Sequence, residues 1–276
     1  MLQVSKISKD FGGLRALDDV SFGVREGEVV GLIGPNGSGK STAFNVITGF
    51  LAATSGSVTF CGEEIIRLPA HQVARRGLAR TFQLVRPFLH LTTLDNVLAG
   101  CLFGHAQMPS KKSAESRAYH VLEQVGLADK AQVAARNLTV MERKWLEVAR
   151  ALAGEPKLLL LDEFMAGLNP AEIPLAVELV AKLNAAGITI IIVEYIVKAI
   201  THTCERIIVL NAGRKLAEGT AAEVVENPEV IAAYLGTRYA QLGGLYYVQG
   251  QSTVPRRPRW QFAQATRLVG GARALL

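Results

Sequence analysis

The stretch that decides the fold is Gly34-Pro35-Asn36-Gly37-Ser38-Gly39-Lys40-Ser41-Thr42. It follows the apolar run at residues 29–33 and precedes the largely apolar residues 43–47. The first run is typical of a buried strand, the glycines of a loop that approaches a ligand closely, and the residues after Lys40 of a helix start. The sequence therefore predicts a strand, a loop and a helix in direct succession.

This succession is the context in which a phosphate-binding loop, or P-loop, occurs. Backbone N–H groups of such a loop and the dipole of the helix both favour the phosphates of a nucleotide. We expect Lys40 to contact the terminal phosphates and the Ser41 hydroxyl to be a magnesium ligand. The alternative, a glycine-rich turn that binds nothing, is disfavoured because the whole motif matches in its required context.

A length of 276 residues predicts one large or two modest domains. A hydrophobic content of 49% is sufficient for a packed core, as in a globular protein. The longest apolar stretches, residues 158–161 and 188–193, are far shorter than the roughly 18 residues that a membrane helix needs. The N-terminus has no secretory-signal pattern, and the three cysteines have no C-x-x-C spacing. These features predict a chain with reduced thiols that stays in a cytosol.

The net charge of +6 is mostly local, because residues 251–276 contain five arginines and no acidic residue. The rest of the chain has no excess of basic residues that would indicate nucleic-acid binding, so we expect no nucleic-acid partner. From residue 236 onward the sequence predicts an irregular, basic C-terminal extension. This extension either orders on a partner or an anionic membrane surface, or has no role.

The N-terminal region predicts two short strands, near residues 2–4 and 20–24, and Phe11 lies beside the turn between them. Phe11 is either a stacking platform for a purine ring or a strand-end core residue. Residues 77–83 predict a later strand that ends at Gln83.

A helical insertion is predicted over residues 84–152, where strand patterns disappear. Near its end Thr139 is followed three residues later by Glu142, a capping box that predicts a helix beginning at Val140.

Two all-apolar runs after the insertion predict strands buried on both faces of a parallel sheet. The first, residues 157–161, ends in Asp162 and Glu163, and the second, residues 188–193, ends in Glu194 and Tyr195. Carboxylates at the carboxyl end of a buried strand, in a P-loop protein, are where a magnesium ion needs a partner.

The order of these motifs resembles that of the nucleotide-binding subunit of an ATP-binding cassette (ABC) transporter. Residues 9–17 and 166–170 are similar in particular to the ATPases of branched-chain amino acid importers. The ATPases of importers of urea or other small amides resemble these segments as well. The resemblance implies an α/β fold: a P-loop NTPase core with a mixed or parallel sheet, an N-terminal antiparallel β portion and an inserted helical subdomain. It implies an ABC ATPase domain over residues 1–235, followed by the extension at residues 236–276.

The resemblance also implies roles for single residues, with ATP and Mg²⁺ as ligands. Phe11 corresponds to the adenine-stacking aromatic, and Gln83 to the glutamine that senses the magnesium and faces the permease. Asp162, with Ser41 and Gln83, belongs to the metal site, and Glu163 polarises the attacking water. The implied nucleotide-binding residues are Phe11, Gly34, Pro35, Asn36, Gly37, Ser38, Gly39, Lys40, Ser41, Thr42, Thr139 and Asp162.

Two positions depart from the family pattern. The family signature reads Leu-Ser-Gly-Gly-Gln, whereas residues 138–142 read Leu-Thr-Val-Met-Glu. Thr139 keeps a hydroxyl for the γ-phosphate, but a Met141 side chain should obstruct the approach of backbone to phosphate. Tyr195 replaces a catalytic histidine that contacts the γ-phosphate, and a phenol carries no positive charge near neutral pH.

Each nucleotide site in the family combines one chain's P-loop with the other chain's signature. Tyr195 would therefore affect the site that holds this chain's own P-loop, whereas the changed signature segment would affect the site that holds the partner's P-loop. We therefore expect a heterodimer with a second ATPase subunit rather than a homodimer. We expect this pair to bind integral-membrane permease subunits, peripherally at the cytoplasmic face of the inner membrane, with an extracytoplasmic substrate-binding protein in the complex. The alternatives are a nucleotide-binding switch with little hydrolysis of its own, and a non-transport ABC ATPase.

Overall fold

The computed structural model describes residues 1–194 and 197–235, which contain two β-sheets, nine α-helices and two 3-10 helices, Ala128–Lys130 and Ala135–Asn137. Tyr195 and the C-terminal extension from residue 236 lie outside the described residues. The strands are β1 Leu2–Phe11, β2 Leu14–Val24, β3 Val29–Ile33, β4 Ser55–Phe60, β5 Glu63–Glu64, β6 Leu78–Arg80, β7 Leu158–Asp162, β8 Thr189–Val193, β9 Arg206–Asn211 and β10 Arg214–Gly219. The helices are α1 Lys40–Ile47, α2 Ala70–Arg75, α3 Thr93–Phe103, α4 Lys111–Gln124, α5 Val140–Ala153, α6 Glu172–Ala185, α7 Val197–Thr203, α8 Ala221–Glu226 and α9 Pro228–Leu235.

The larger sheet has six strands in the order β10-β9-β3-β8-β7-β6. Its strands pair in parallel from β9 through β6, and β10 adds an antiparallel edge. The smaller sheet, β2-β1-β4-β5, is antiparallel throughout. The predicted α/β fold, with a mixed sheet and an N-terminal antiparallel portion, is therefore confirmed.

Strands β3, β7 and β8 are buried at every residue, which explains why their sequences are continuous apolar runs. In β7, alternate side chains enter two different cores. Leu159 and Leu161 pack with α3 to α6, whereas Leu158 and Leu160 pack with α1 and the smaller sheet. The large sheet is thus the middle layer of the fold, covered by α3 to α6 on one face and by α1 and the second sheet on the other.

The predicted helical insertion is present, since α3, α4 and α5 occupy the chain between β6 and β7. Helix α5 begins at Val140, and Thr139 and Glu142 form the predicted capping box. Among the described residues, no helix combines the length and the apolar character that crossing a membrane requires.

Three strand boundaries differ from the prediction. Strands β1 and β2 are much longer than the short runs expected at residues 2–4 and 20–24, because paired backbone continues through polar residues up to the turn at Gly12. Strand β6 ends at Arg80 rather than at Gln83, so Gln83 lies three residues beyond the strand, in the following loop.

The beginnings of β3 and β9 are joined by a buried ion pair. The carboxylate of Glu28 accepts hydrogen bonds from Arg206 Nε at 2.7 Å and Nη2 at 2.8 Å, and from the backbone N–H of Arg25 at 2.8 Å. Burial alone would raise the pKa of Glu28, but the hydrogen bonds from Arg206 and Arg25 lower it to about 2. The pair therefore stabilises the fold only while Glu28 is ionised.

We predict that Glu28→Gln removes a stabilising contribution of about 3 kcal/mol at neutral pH. Because the folded pKa is depressed, this contribution is fully present above the ordinary glutamate pKa and is lost as the pH falls toward 2. In urea unfolding, the difference in free energy between wild type and Glu28→Gln should be about 2 kcal/mol smaller at pH 3 than at pH 6. Glu178→Gln, which disrupts an exposed pair with Lys182, is the control with little effect. A pH-independent difference for Glu28→Gln would contradict the prediction.

Candidate active site

The P-loop begins where β3 ends, and its first glycine is tightly enclosed. A Cβ atom at Gly34 would lie 2.1 Å from the carbonyl oxygen of Leu210 in β9 and 2.5 Å from Ser38 Oγ. Gly39 has a φ of +104°, and a Cβ there would lie 2.8 Å from the carbonyl oxygen of Ala16 in β2. The loop is therefore held between both sheets, and its curl requires residues without a side chain.

Lys40 folds its side chain back over this loop. Its ammonium group donates to the carbonyl oxygens of Gly34 at 2.7 Å and Pro35 at 3.0 Å. Burial lowers the pKa of Lys40, while the nearby carboxylates of Glu163 and Asp162 raise it and offset part of that effect. The ammonium group is thus within electrostatic reach of both carboxylates at the end of β7.

The first turn of α1 is open to an anion. Gly39 occupies the N-cap position, and no side chain of the described residues caps the helix. The Ser41 side chain is exposed and that of Thr42 is half-buried. Backbone N–H groups at such a helix start favour phosphate, through their hydrogen bonds and through the helix dipole.

Gln83 and Glu163 meet although they lie 80 positions apart in the chain. The amide Nε2 of Gln83 donates to Glu163 Oε2 at 2.6 Å. Glu163 has a φ of +50°, and its backbone N–H donates to the carbonyl oxygen of Val193 at 2.9 Å. A left-handed backbone at a residue other than glycine is strained, and this strain is held by pairing with the end of the neighbouring strand β8.

Asp162 has one satisfied and one unsatisfied carboxylate oxygen. Oδ2 accepts a hydrogen bond from Arg80 Nη2 at 2.7 Å, and the backbone N–H of Asp162 donates to Thr81 Oγ1 at 3.1 Å. Oδ1 is buried and has no hydrogen-bond partner among residues 1–194 and 197–235. A buried carboxylate oxygen without a donor is costly, and a cation or a bound water satisfies it.

These groups fit a nucleotide with a hard divalent cation. The loop and the start of α1 suit phosphates, and Lys40 adds a positive charge. The Ser41 hydroxyl, the Asp162 carboxylate and the Gln83 amide are oxygen donors of the type that magnesium prefers. When bound, Mg²⁺ neutralises charge on the transferring phosphoryl group.

Phe11 lies at the end of β1 and is 47% exposed, so it is not a core residue. Lys9 Nζ lies 5.1 Å from the centre of its ring. The hairpin that carries Phe11 is adjacent to the P-loop, because Ala16 on the next strand contacts Gly39. An exposed ring beside a phosphate loop is suited to stacking on a base.

The site also contains residues that the sequence analysis did not single out. Arg80 and Thr81 hold Asp162, and Asn45 of α1 holds Arg80. Lys144 of α5 donates to the backbone carbonyl oxygens of Phe164, at 3.1 Å, and Ala166, which follow Glu163. No motif marks these residues, because each acts through a partner that is distant in the chain. The only signal in the sequence was an arginine, Arg80, three residues before Gln83.

The family model described as ABC transporter matches residues 17–166. This chain belongs to the ABC transporter ATPase family. The model described as branched-chain amino acid ATP-binding cassette transporter matches residues 214–240. The chain is similar to the high-affinity branched-chain amino acid transport ATP-binding protein BraF of Pseudomonas aeruginosa, at 40% identity over 249 residues, covering 86% of this chain and 98% of BraF.

Solved ABC cassettes have the same fold. The ADP conformation of MJ1267, an ATP-binding cassette of an ABC transporter, matches with a TM-score of 0.77 at 33% identity, covering 86% of this chain and 98% of that one. A dimeric post-hydrolysis state of the cassette MJ0796 bound to ADP and Pi matches with a TM-score of 0.73 at 27% identity, covering 80% and 99%. ATP-binding subunits of ABC transporters are ATPases coupled to transport, and this chain is one of them.

In the signature segment of this ABC cassette, residues 138–142, the side chains hydrogen-bond to the backbone of the segment itself. Thr139 Oγ1 accepts from the backbone N–H of Glu142 at 3.2 Å, and Glu142 Oε2 accepts from the backbone N–H of Thr139 at 2.8 Å. Glu142 also pairs with Lys130. Val140 is 70% exposed at the first helical position, and Met141 packs partly against the core. A negative charge and two side chains therefore lie where the family pattern has two glycines and an amide.

A groove lies between β6 and the helices α2, α3 and α5. Its volume is about 300 Å³, and it is lined largely by apolar atoms, with Phe50, Phe82 and Arg150 among its walls. We call it the helical groove. Arg80 also lines it, so a single side chain touches both the groove and Asp162.

We predict that Gly34→Ala destabilises the cassette more than Gly37→Ala. Both glycines have positive φ, which costs a residue with a side chain about 1–2 kcal/mol. At Gly37 a Cβ would meet no atom within 4 Å, whereas at Gly34 it would overlap the Leu210 carbonyl oxygen, adding about 1–3 kcal/mol. Urea unfolding of both variants measures the difference. Equal losses would show that the Gly34 contact is not a constraint.

Proposed function

We propose that this chain binds Mg-ATP at residues 34–42 and hydrolyses it to power an importer of branched-chain amino acids or related small amides. The observation that carries the proposal is the hydrogen bond between Gln83 and Glu163 beside the buried Asp162 and the ammonium group of Lys40. Phosphoryl transfer requires a positioned nucleophile and neutralised phosphate oxygens, and these four side chains are suited to both tasks.

In this proposal Glu163 accepts a hydrogen bond from the attacking water and polarises it. Its strained backbone and its contact with Gln83 restrict the orientation of its carboxylate. Gln83 directs its NH₂ group at Glu163, so its carbonyl oxygen is directed elsewhere and is suited to the metal. Ser41 and Asp162 supply the other protein oxygens, and Phe11 stacks on the adenine.

The importer assignment rests on similarity. The relative BraF is a branched-chain amino acid transport protein by its name, and residues 214–240 match the model of that transporter group. We infer that the chain works peripherally at the cytoplasmic face of the inner membrane, with integral-membrane permease subunits and an extracytoplasmic substrate-binding protein. The helical groove and the adjacent exposed apolar residues Leu84 and Phe88 support permease docking at this surface.

We infer that the functional unit is a heterodimer with a second ATPase. In such a dimer the signature segment of this chain would face the partner's nucleotide, and the helix start at Thr139 would approach the γ-phosphate. The Glu142 carboxylate, bound to the Thr139 N–H, opposes a phosphate at that position, because like charges repel. Tyr195 would weaken the other site, the one built on this chain's own P-loop. A homodimer would carry both defects twice.

A second candidate function is a nucleotide-operated switch in which this chain closes a dimer but contributes little turnover. The self-capped signature segment favours it, while the paired Gln83 and Glu163 favour hydrolysis. Steady-state ATPase activity of the assembled complex separates the two functions.

We predict that Lys40→Ala abolishes magnesium-dependent ATP binding by the full chain, because it removes the positive charge at the phosphates. Glu163→Gln should retain binding and lower single-turnover hydrolysis at least about 100-fold, the lower end of what general-base catalysis contributes. Glu226→Gln, at the end of α8, is the matched control and should behave as wild type. Fluorescent nucleotide titration and phosphate release measure the two effects. Unchanged affinity in Lys40→Ala would overturn the proposed function.

We predict that the tagged chain, purified from detergent-solubilised membranes, carries one copy of a different ATPase subunit together with permease subunits. Intact-complex mass spectrometry measures this composition. In single-turnover assays, Glu163→Gln here and the equivalent change in the partner should slow hydrolysis unequally. A complex containing two copies of this chain, or equal losses from either substitution, would contradict the heterodimer.

A further inference from the structure

Arg80 is buried between the P-loop helix and the end of β7. Its Nη1 donates to Asn45 Oδ1 in α1 at 2.6 Å, and its Nη2 donates to Asp162 Oδ2 at 2.7 Å. The side chains of Arg80 and Asp162 are 7% and 3% exposed. One guanidinium group therefore connects the helix that follows the P-loop to the carboxylate at the end of β7.

Aromatic rings surround the same guanidinium group. Its central carbon lies 4.8 Å from the ring centre of Phe82, 5.7 Å from that of Phe44 and 6.0 Å from that of Phe50. Phe50 and Phe82 pack edge to face with 5.3 Å between their centres, and both line the helical groove. Because cations are attracted to ring faces, a shift of either ring changes the position that Arg80 prefers.

Among residues 1–194 and 197–235, Arg80 is the one residue that donates a hydrogen bond to the Asp162 carboxylate. Arg80 occupies Oδ2, Thr81 accepts from the backbone N–H, and Oδ1 has no partner within the described part of the chain. The two arms of the guanidinium group reach Asn45 and Asp162 at once. A lysine has a single terminal nitrogen without a planar fork, so it cannot reproduce this arrangement.

We propose that Arg80 is a positioning residue for Asp162, and that it transmits the packing of the helical groove to the metal site. The inference rests on the proposed function, because it requires that Asp162 serves a magnesium ion. The fork fixes Oδ2, and so orients Oδ1 for the metal. An occupant of the groove that moves Phe50 or Phe82 changes how firmly Arg80 holds the carboxylate.

A competing explanation is that Arg80 only neutralises a buried charge. Removal of one partner of a buried pair is destabilising in either case, so loss of stability does not separate the two roles. The affinity for magnesium does separate the positioning role from simple charge neutralisation. Removing a positive charge beside Asp162 favours cation binding electrostatically, whereas losing the orientation of the carboxylate weakens it.

The test measures the magnesium concentration that half-saturates binding of a fluorescent ATP analogue to the purified full chain. We expect Arg80→Lys and Arg80→Gln to raise this concentration about 10-fold, as for other residues that orient metal ligands. Affinity for the analogue in excess chelator should not change. Arg76→Gln, which breaks an exposed pair with Glu63, is the matched control and should equal wild type.

Asn45→Ala is a milder second variant that tests the same role if the Arg80 variants misfold. It frees one arm of the fork but leaves the charges of Arg80 and Asp162 paired, and it should raise the half-saturating magnesium concentration by a smaller factor. In an Asp162→Asn background, Arg80→Gln should cause no further change. A lower magnesium requirement in Arg80→Gln, or an equal effect with and without Asp162, would overturn the positioning role.

The groove is tested separately with Phe50→Ala, which removes a ring that contacts Arg80 but not Asp162. We expect it to raise the magnesium requirement about threefold in wild type and to have no effect in Arg80→Lys. An unchanged requirement in wild type would overturn transmission from the groove. If wild type itself showed no magnesium-dependent ATP binding, the proposed function would fail, whereas normal binding with unaffected Arg80 variants would refute this inference alone.

Discussion

The contact between the backbone of Gly34 and the carbonyl oxygen of Leu210 is the constraint on which the rest of the site depends. It joins the end of β3 to the neighbouring strand β9 so closely that no side chain fits between them. The loop must therefore turn over the edge of the sheet at this point, and its later glycine, Gly39, meets β2 from the other sheet. A loop held between two sheets keeps its N–H groups in place before any ligand binds, which lowers the cost of ordering them.

The parallel order β3-β8-β7-β6 then determines which side chains reach this loop. Carboxyl ends of parallel strands meet at one edge, so residues after β6 and β7 converge on the P-loop although they are distant in the chain. Glu163 shows that the arrangement is under strain, since its backbone is left-handed. Burial of the apolar strands on both faces stabilises the sheet enough to hold that conformation.

Two features of this cassette lie at surfaces where we propose that partner subunits bind. The first is the signature segment, where the capping box engages the Thr139 hydroxyl and the N–H groups of Thr139 and Glu142, at the helix start that we propose faces a partner's phosphate. The second is Arg80, which lies between the helical groove and Asp162 and is shared by both. We propose that a second ATPase binds at the signature segment and that a permease binds at the groove.

The sequence by itself determined the P-loop, the buried strands and the start of α5 at Val140, because each follows from local spacing or from capping. It also placed Asp162 and Glu163 at the end of a buried strand, because the apolar run before them stops there. Only the tertiary structure decided the pairing of Gln83 with Glu163, the true end of β6 at Arg80, and the exposure of Phe11. It alone revealed that Arg80, Asn45 and Asp162 form one connected group, because their contacts span 35 and 82 positions of the chain and no local pattern encodes such distances.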